Sequence, residues 1–319
     1  MAKIFITGAL GFAGRKLAER LLADGHDLFG AYLLPGEIRN DPLERRIGLF
    51  QMDVRDETQI VRVLTELKPD ILFHLAAIVP IHLSIKAPAA TMEVNVVGTT
   101  HLLEAVRKSE LDCRILLPGS SEEYGLIHPD EAPVTEDQPL RPTNPYGVSK
   151  AAQTLLGLQY FRMYGLKIIC ARPFNMTGPG QTPDYACPAF ARQIAMIEKG
   201  LVPPVVRVGN LSPRRDYSDI RDIMRAFVLL AERGRPGEVY NMCSGQAIGV
   251  GDMLNRLLAL ARVKIDVQVD PALARPVENE LVLGSNAKLA AATGYQPAYT
   301  FDQTLTDVLD YWRSQPLSV

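Results

Sequence analysis

The chain of 319 residues is short of the features that mark several large protein classes. It carries four cysteines, Cys113, Cys170, Cys187 and Cys243, far apart and with no Cys-x-x-Cys pair. A disulfide scaffold is thereby excluded, and isolated thiols of this kind fit a reducing compartment. The five histidines (His26, His74, His82, His101 and His128) form neither His-x-x-x-His nor His-Glu-x-x-His, so no metal site is expected. No apolar run reaches the ~18 residues of a membrane span. The first residues also lack the charged-then-apolar pattern of an export signal. An excess of charge is missing too: 34 Lys and Arg face 36 Asp and Glu, for a formal net charge of −2. That balance argues against nucleic acid as a partner, because phosphate binding leaves a strongly basic face. A soluble cytoplasmic protein is expected, with neither nucleic acid nor membrane among its partners.

What is present points to a large α/β unit. Hydrophobic residues make up 47% and charged residues 22%, which supplies a core and excludes wholesale disorder. Through the first half, short apolar runs (KIFIT, HDLFGAY, IGLFQMDV, ILFHLAA, RILLPGS) alternate with amphipathic helix patterns such as Phe12 to Ala23 and ETQIVRVLTEL. A longer helix pattern covers TMEVNVVGTTHLLEAVRK, another runs from Tyr146 to Tyr164, and the run LKIICARP follows. Apolar strands alternating with helices predict a parallel sheet covered on both faces, doubly wound in the Rossmann manner. After Pro173 the texture changes to Pro/Gly-punctuated segments with short helices, DIMRAFVLLAER and GDMLNRLLALAR among them. These suit a smaller mixed α/β substrate-binding domain over the open end of the sheet. The expected division is 1–175 for the dinucleotide-binding domain, with parts of 218–245 returning to it. Residues 176–217 and 246–319 form the second domain.

Gly8, Gly11 and Gly14 make Gly-x-x-Gly-x-x-Gly between the first strand and the first helix. Such a loop turns sharply, lets backbone approach a pyrophosphate and lets the helix pack closely; its amides and dipole receive phosphate. Phe12 and Ala13 open that helix. The second strand ends at Tyr32, where an acid would otherwise bind the adenosine ribose of NAD. With no carboxylate to repel a 2′-phosphate, NADP(H) is slightly preferred and NAD(H) remains possible; Arg15 or Arg39 could hold the phosphate. Further along, Asp53 and Val54 follow the third strand and Leu75, Ala76 and Ala77 the fourth, at the edge where such sheets bind ligands. Asp53 can accept from the adenine amino group, and the small Ala76 and Ala77 leave room for the cofactor. Pro173 closes the sixth strand on the same edge.

Tyr146 and Lys150 stand four apart in Tyr-Gly-Val-Ser-Lys, hence on one face of a helix. An ammonium beside a phenol stabilises the phenolate and makes the phenol a usable acid near neutrality. Ser120, in Gly-Ser-Ser-Glu-Glu-Tyr-Gly after the fifth strand, can hold a carbonyl or alcohol beside that phenol. The bland reading of Ser120 is a turn cap. Ser121 and Glu122 follow it directly.

The ordered set TGALGFAG, FHLAA, GSSEEYG, PYGVSK and RPFN resembles the extended short-chain dehydrogenases/reductases, the nucleotide-sugar epimerase and dehydratase group. The resemblance spans essentially the whole chain. It implies that Ser120, Tyr146 and Lys150 form the catalytic triad, with Tyr146 as acid/base and Lys150 on the nicotinamide ribose. It also implies that Asn95 supports the cofactor site and that the protein is a homodimer, paired through the Thr91 and Tyr146 helices. In the second half, Arg207-Val-Gly-Asn-Leu before Arg214-Arg-Asp, and Arg275-Pro-x-Glu278 before Leu-Gly, resemble GDP-mannose-processing members. Physically, Arg215 and Arg275 offer bidentate donors for a diphosphate. Asn175 and Asn210 can bond sugar or base, and Glu278 can accept from a ribose diol. Ser121 and Arg192 complete the substrate set.

Two reactions fit the resemblance. One is reduction of the C4 keto group of GDP-4-dehydro-6-deoxy-D-mannose to GDP-D-rhamnose; the other is the 4,6-dehydration of GDP-mannose. Glu122 matches the carboxylate that a dehydratase uses as elimination base. The loop TGALGFAG differs from the dehydratases' TGQDG, however, and no Arg-Arg pair follows the second strand. Reduction is therefore the first expectation. A catalytically idle NAD(P)-binding protein would have no use for Ser120, Tyr146 and Lys150 together.

Overall fold

The computed structural model describes residues 1–34, 36, 41–273 and 279–318. Strand β1 (Lys3–Thr7) runs through the glycine loop into α1 (Phe12–Ala23). Then come β2 (Asp27–Tyr32), β3 (Gly48–Gln51), α2 (Glu57–Leu67), β4 (Ile71–His74), α3 (Ile81–Lys86), α4 (Pro88–Met92) and α5 (Gly98–Lys108). β5 (Arg114–Pro118), α6 (Pro145–Tyr164) and β6 (Lys167–Pro173) complete the first half. The second half contains β7 (Asn175–Thr177), α7 (Ala186–Glu198), β8 (Val205–Val208), β9 (Arg214–Asp219), α8 (Ile220–Arg233) and β10 (Val239–Met242). It ends with β11 (Ala247–Gly249), α9 (Val250–Ala259), β12 (Asp266–Val269), β13 (Leu281–Val282), α10 (Ala287–Thr293) and α11 (Phe301–Ser314).

Seven of these strands form one parallel sheet in the order β10-β6-β5-β4-β1-β2-β3. The order reverses between β1 and β4, as in a doubly wound Rossmann sheet, and such a switch point opens a crevice at the strands' carboxyl ends. Period-two alternation divides the core. Ile4 and Ile6 pack with Leu17, Leu21 and Phe227 on the α1/α8 face, while Phe5 packs with Ile60, Leu64, Leu102 and Val106 on the α2/α5 face. β10 joins the far edge beside β6, and α8 lies against α1.

The alternating first half formed as its pattern predicts, with α1 and α2 starting and stopping at the expected residues. The long helix around Asn95 differs: α4 and α5 are joined by a π-helical segment, Glu93–Val97. The second half differs more. The Pro/Gly-rich stretches hold β7, β8 and β9; β9 pairs with β7, β11 and β13 in one small sheet and β8 with β12 in another. Their strands are short and, in β9, charged (Arg214, Arg215, Asp216, Asp219), so no apolar run announces them. Helices α7 and α11, absent from the sequence reading, pack with α9 around Phe190, Ile194, Met253, Leu257, Leu305 and Leu309. Among the described residues, no helix is long and apolar enough to cross a membrane. All four cysteines are buried and free.

Candidate active site

A cleft of about 960 Å³ follows the carboxyl ends of β1, β2, β4, β5 and β6. Its floor is the glycine loop. The Gly11 amide donates to the Gly8 carbonyl (3.1 Å), and Gly8 takes a φ of +66°. A Cβ on Gly8 would lie 2.8 Å from the Ala76 nitrogen, and one on Gly14 would collide with the Gly8 carbonyl oxygen. The loop therefore presses against β4 on one side and α1 on the other, leaving bare backbone facing the cleft. Phe12, Ala13, Val54, Leu75, Ala77 and Pro173 line it with Gly8, Gly11, Gly14 and Ala76.

Asp53 lines the cleft two residues beyond β3. Its carboxylate is forked by Arg55 (Nη2 to Oδ2, 2.6 Å), which holds the carboxyl below its ordinary range. The capping role falls to Asp56, which accepts from the Thr58 and Gln59 amides at the start of α2. Asn95 does not itself line the cleft. Turned inward by the π-helical segment, its side chain bonds both the amide (2.8 Å) and carbonyl (3.0 Å) of Ile78, and the Ser149 hydroxyl. It braces the cleft wall from behind. Arg15 reaches the cleft but is paired with Asp41, and Arg39 lies outside the described residues.

The polar centre sits where β5 meets α6. Asn144 caps α6 by accepting from the Gly147 amide (2.8 Å), with Pro145 at the first helical position. This start places Tyr146 at the helix mouth and Lys150 one turn further, both in the cleft wall. Ser120 does cap a turn, accepting from the Glu122 amide (3.1 Å), and its hydroxyl is close enough to the Tyr146 phenol to favour the phenolate. The Lys150 ammonium, 3% exposed, donates to the Pro118 carbonyl (2.9 Å) and to Gln153 (2.8 Å). It lies 5.9 Å from the centre of the Tyr146 ring. Burial brings Lys150 down to about 8, against a lift from the nearby Glu123 charge. The same burial pushes Tyr146 well above an ordinary phenol, outweighing the pull of the Ser120 hydroxyl. In this arrangement the ammonium is turned to Pro118 and Gln153, and burial sets the direction of the phenol's shift. The phenol is held protonated. His74, fully buried between Thr7 and Thr99, is pushed down to about 3 and stays neutral; it is a packed strand residue.

Glu122 lines the cleft with its carboxylate accepting from the Asn144 side chain (2.9 Å), and Ser121 and Asn175 line it as well. The remaining substrate candidates are less assembled. Arg215 is half-buried on β9, hydrogen-bonded to the Arg214 carbonyl, and near enough to Glu122 for their charges to interact. Asn210 folds back on the Ser212 amide, and Arg192 points to the Ser318 carbonyl at the surface; neither lines the cleft. Arg275 and Glu278 lie outside the described residues. The sequence reading missed Tyr185, Gln181, Thr182 and Asp184, which wall the cleft before α7, and Asn144 behind Glu122. Asn144-Pro145 was the available signal, a cap followed by a first-turn proline.

Over residues 5–308 the chain matches the family described as GDP-mannose 4,6 dehydratase. It belongs to that family. Members are NAD(P)-dependent enzymes of the extended short-chain dehydrogenase/reductase type, the epimerase/dehydratase group. The chain is 34% identical to a GDP-6-deoxy-D-mannose reductase of Pseudomonas aeruginosa, covering 98% of both chains. It is 27% identical to a GDP-mannose 4,6-dehydratase of Yersinia enterocolitica, over 97% of this chain and 93% of that one. The structure of RMD from Pseudomonas aeruginosa complexed with NADPH superposes with a TM-score of 0.88 at 32% identity, covering 98% and 99% of the two chains. The bare glycine cradle and the long cleft fit a dinucleotide: backbone amides at the start of α1 are free to take phosphate where side chains would collide.

Proposed function

We propose that this protein reduces the C4 keto group of GDP-4-dehydro-6-deoxy-D-mannose with NAD(P)H, giving GDP-D-rhamnose. The observation that carries this reading is the end-to-end likeness to a GDP-6-deoxy-D-mannose reductase at 34% identity. The cleft agrees with it, since a phenol and a serine hydroxyl lie together in its wall, the two donors that a carbonyl undergoing reduction requires. Bound along the cleft, the dinucleotide supplies a hydride to C4. Tyr146 gives its phenolic proton to the C4 oxygen as charge develops there, and Ser120 donates a hydrogen bond to the same oxygen. Lys150 holds the nicotinamide ribose and favours the phenolate left behind. NADP(H) is slightly preferred and NAD(H) also accepted, because no carboxylate stands at the end of β2 to repel a 2′-phosphate.

Gly8, Gly11 and Gly14 receive the pyrophosphate, while Asp53 and Val54 border the adenine. Asn175, Ser121 and Arg215 face the sugar nucleotide, and residues 176–217 and 246–319 make up the domain that binds it. Two copies pair through α6 and the helix that carries Thr91 and runs on to Val97; Val97, Val148, Leu155, Met163 and Tyr164 are exposed apolar residues there.

Dehydration of GDP-mannose is the competing reaction, and Glu122 would be its base. The test supplies GDP-mannose alone, and separately the 4-keto-6-deoxy sugar nucleotide with NADPH. Reduction of the second with GDP-mannose untouched is expected, and Glu122→Gln should keep at least about a tenth of that rate, because no C5 proton is removed. Catalytic dehydration of GDP-mannose that collapses in Glu122→Gln would replace this reading.

A further inference from the structure

The turn that carries Ser120 is built over a buried ion pair. Glu123 is 0% exposed, and its carboxylate accepts from three elements at once. The Ser120 amide donates to it (2.9 Å) from the end of β5, the Thr154 hydroxyl (2.9 Å) from α6, and Arg172 Nε (2.7 Å) from β6. The carboxylate is folded beneath Gly119, where a Cβ would collide with it. Arg172, 4% exposed, goes on to the Tyr124 hydroxyl (3.1 Å) and the Glu136 carbonyl (3.3 Å); Tyr124 donates to Asn241 (2.6 Å) on β10. Buried pairs of this kind are seldom the stablest way to fill a core, since apolar residues of similar volume serve as well or better. Here the pair ties together the three elements that bear Ser120, Tyr146 with Lys150, and Pro173.

The geometry points to Glu123 as a positioning residue: it fixes the Ser120 amide, and through it sets where the Ser120 hydroxyl meets the Tyr146 phenol. This rests on the catalytic reading of Ser120 and Tyr146. The neighbouring charges are consistent with it. Lys150 is faced by Tyr146 and Gln153 on its own helix, and its charge interacts with those of Glu123 from the turn after β5 and His74 from β4. Of these, Glu123 is the one that lifts Lys150 against burial.

The experiment compares Glu123→Gln, Ser120→Ala and the double variant, reading kcat, KM, the pH profile and Tm with the 4-keto sugar nucleotide and NADPH. Glu123→Gln should lower kcat about 10- to 100-fold with KM within about threefold, the cost of a displaced catalytic hydroxyl. Added to Ser120→Ala it should cost less than about twofold more, because its effect passes through Ser120. The alkaline limb of its pH profile should move to lower pH by roughly half a unit or more, as Lys150 loses a supporting charge. Against misfolding, the paired variant Glu123→Leu with Arg172→Met should restore Tm while keeping the kcat loss. Equal losses from Glu123→Gln in both backgrounds, or kcat returning together with Tm in the paired variant, would overturn the proposal. Wild-type turnover in Ser120→Ala would instead bring down the catalytic reading beneath it.

Discussion

The two sides of the cleft are built from different materials. The cofactor side is mostly backbone: a glycine loop, strand ends and small residues, fixed by a parallel sheet whose register leaves no freedom. The other side is walled by side chains from short strands and loops, such as Asn175, Gln181 and Tyr185, whose positions follow from tertiary packing. Backbone-built sites are specified by steric exclusion at a few glycines, whereas side-chain sites are specified by which distant segments meet. Tyr146, Lys150 and Ser120 sit on the seam, on regular elements but reaching both sides.

The comparison would break first at the seam. Tyr146→Phe should cost about 10²- to 10⁴-fold in turnover while cofactor affinity, followed by NADPH fluorescence, stays near wild type. A variant keeping more than half the activity would remove Tyr146 from the chemistry. Lys150→Met should lose turnover about 10²-fold. In the wild type, turnover should fall as pH rises through about 8, where the buried ammonium deprotonates. The stability sign is the opposite. Below about 8 the buried charge opposes folding in full, and the penalty fades as pH climbs toward the ordinary lysine range, where the unfolded chain still binds the proton. Lys150→Met should therefore hold wild-type Tm at pH 7, and a large drop there would show the ammonium to be structural.

On the cofactor side, Gly14→Val should weaken NADPH binding about tenfold or more and lower Tm, because its side chain has only the Gly8 carbonyl to occupy. Across the cleft, Arg215→Ala should raise KM for the sugar nucleotide about tenfold with kcat nearly unchanged, the mark of uniform binding. If Arg215→Ala weakened NADPH binding instead, the division between the two sides would be misplaced. Smallest of all, Arg192→Ala should stay within about twofold in both constants, since its guanidinium points to the Ser318 carbonyl at the surface.

The same contrast explains what could be seen in the sequence. β1, α1 and α2 were legible because a buried parallel strand or an amphipathic helix writes its period in apolar residues. Gly8, Gly11 and Gly14 were legible because each answers a local steric demand. How Asn95 supports the wall, by bonding Ile78 from a π-helical segment, is something no spacing rule reveals. Arg192 and Asn210 were grouped with the substrate on resemblance and side-chain chemistry, but side-chain reach depends on packing that one sequence does not display. Glu123 was passed over as a neighbour of Ser120. Its meaning emerged only when β6 brought Arg172 to within 2.7 Å.

The central claim is that Tyr146 protonates the C4 oxygen while hydride arrives at C4, and isotope transfer tests it most directly. The protein is given the GDP-4-keto-6-deoxy sugar with NADPH deuterated at the transferable position, and the product is analysed by NMR. The account predicts deuterium at C4 and one NADPH oxidised per product, with both lost in Tyr146→Phe. Deuterium absent from C4, or conversion of GDP-mannose with its own C4 hydrogen carried to C6 and no net oxidation of NADPH, would contradict it.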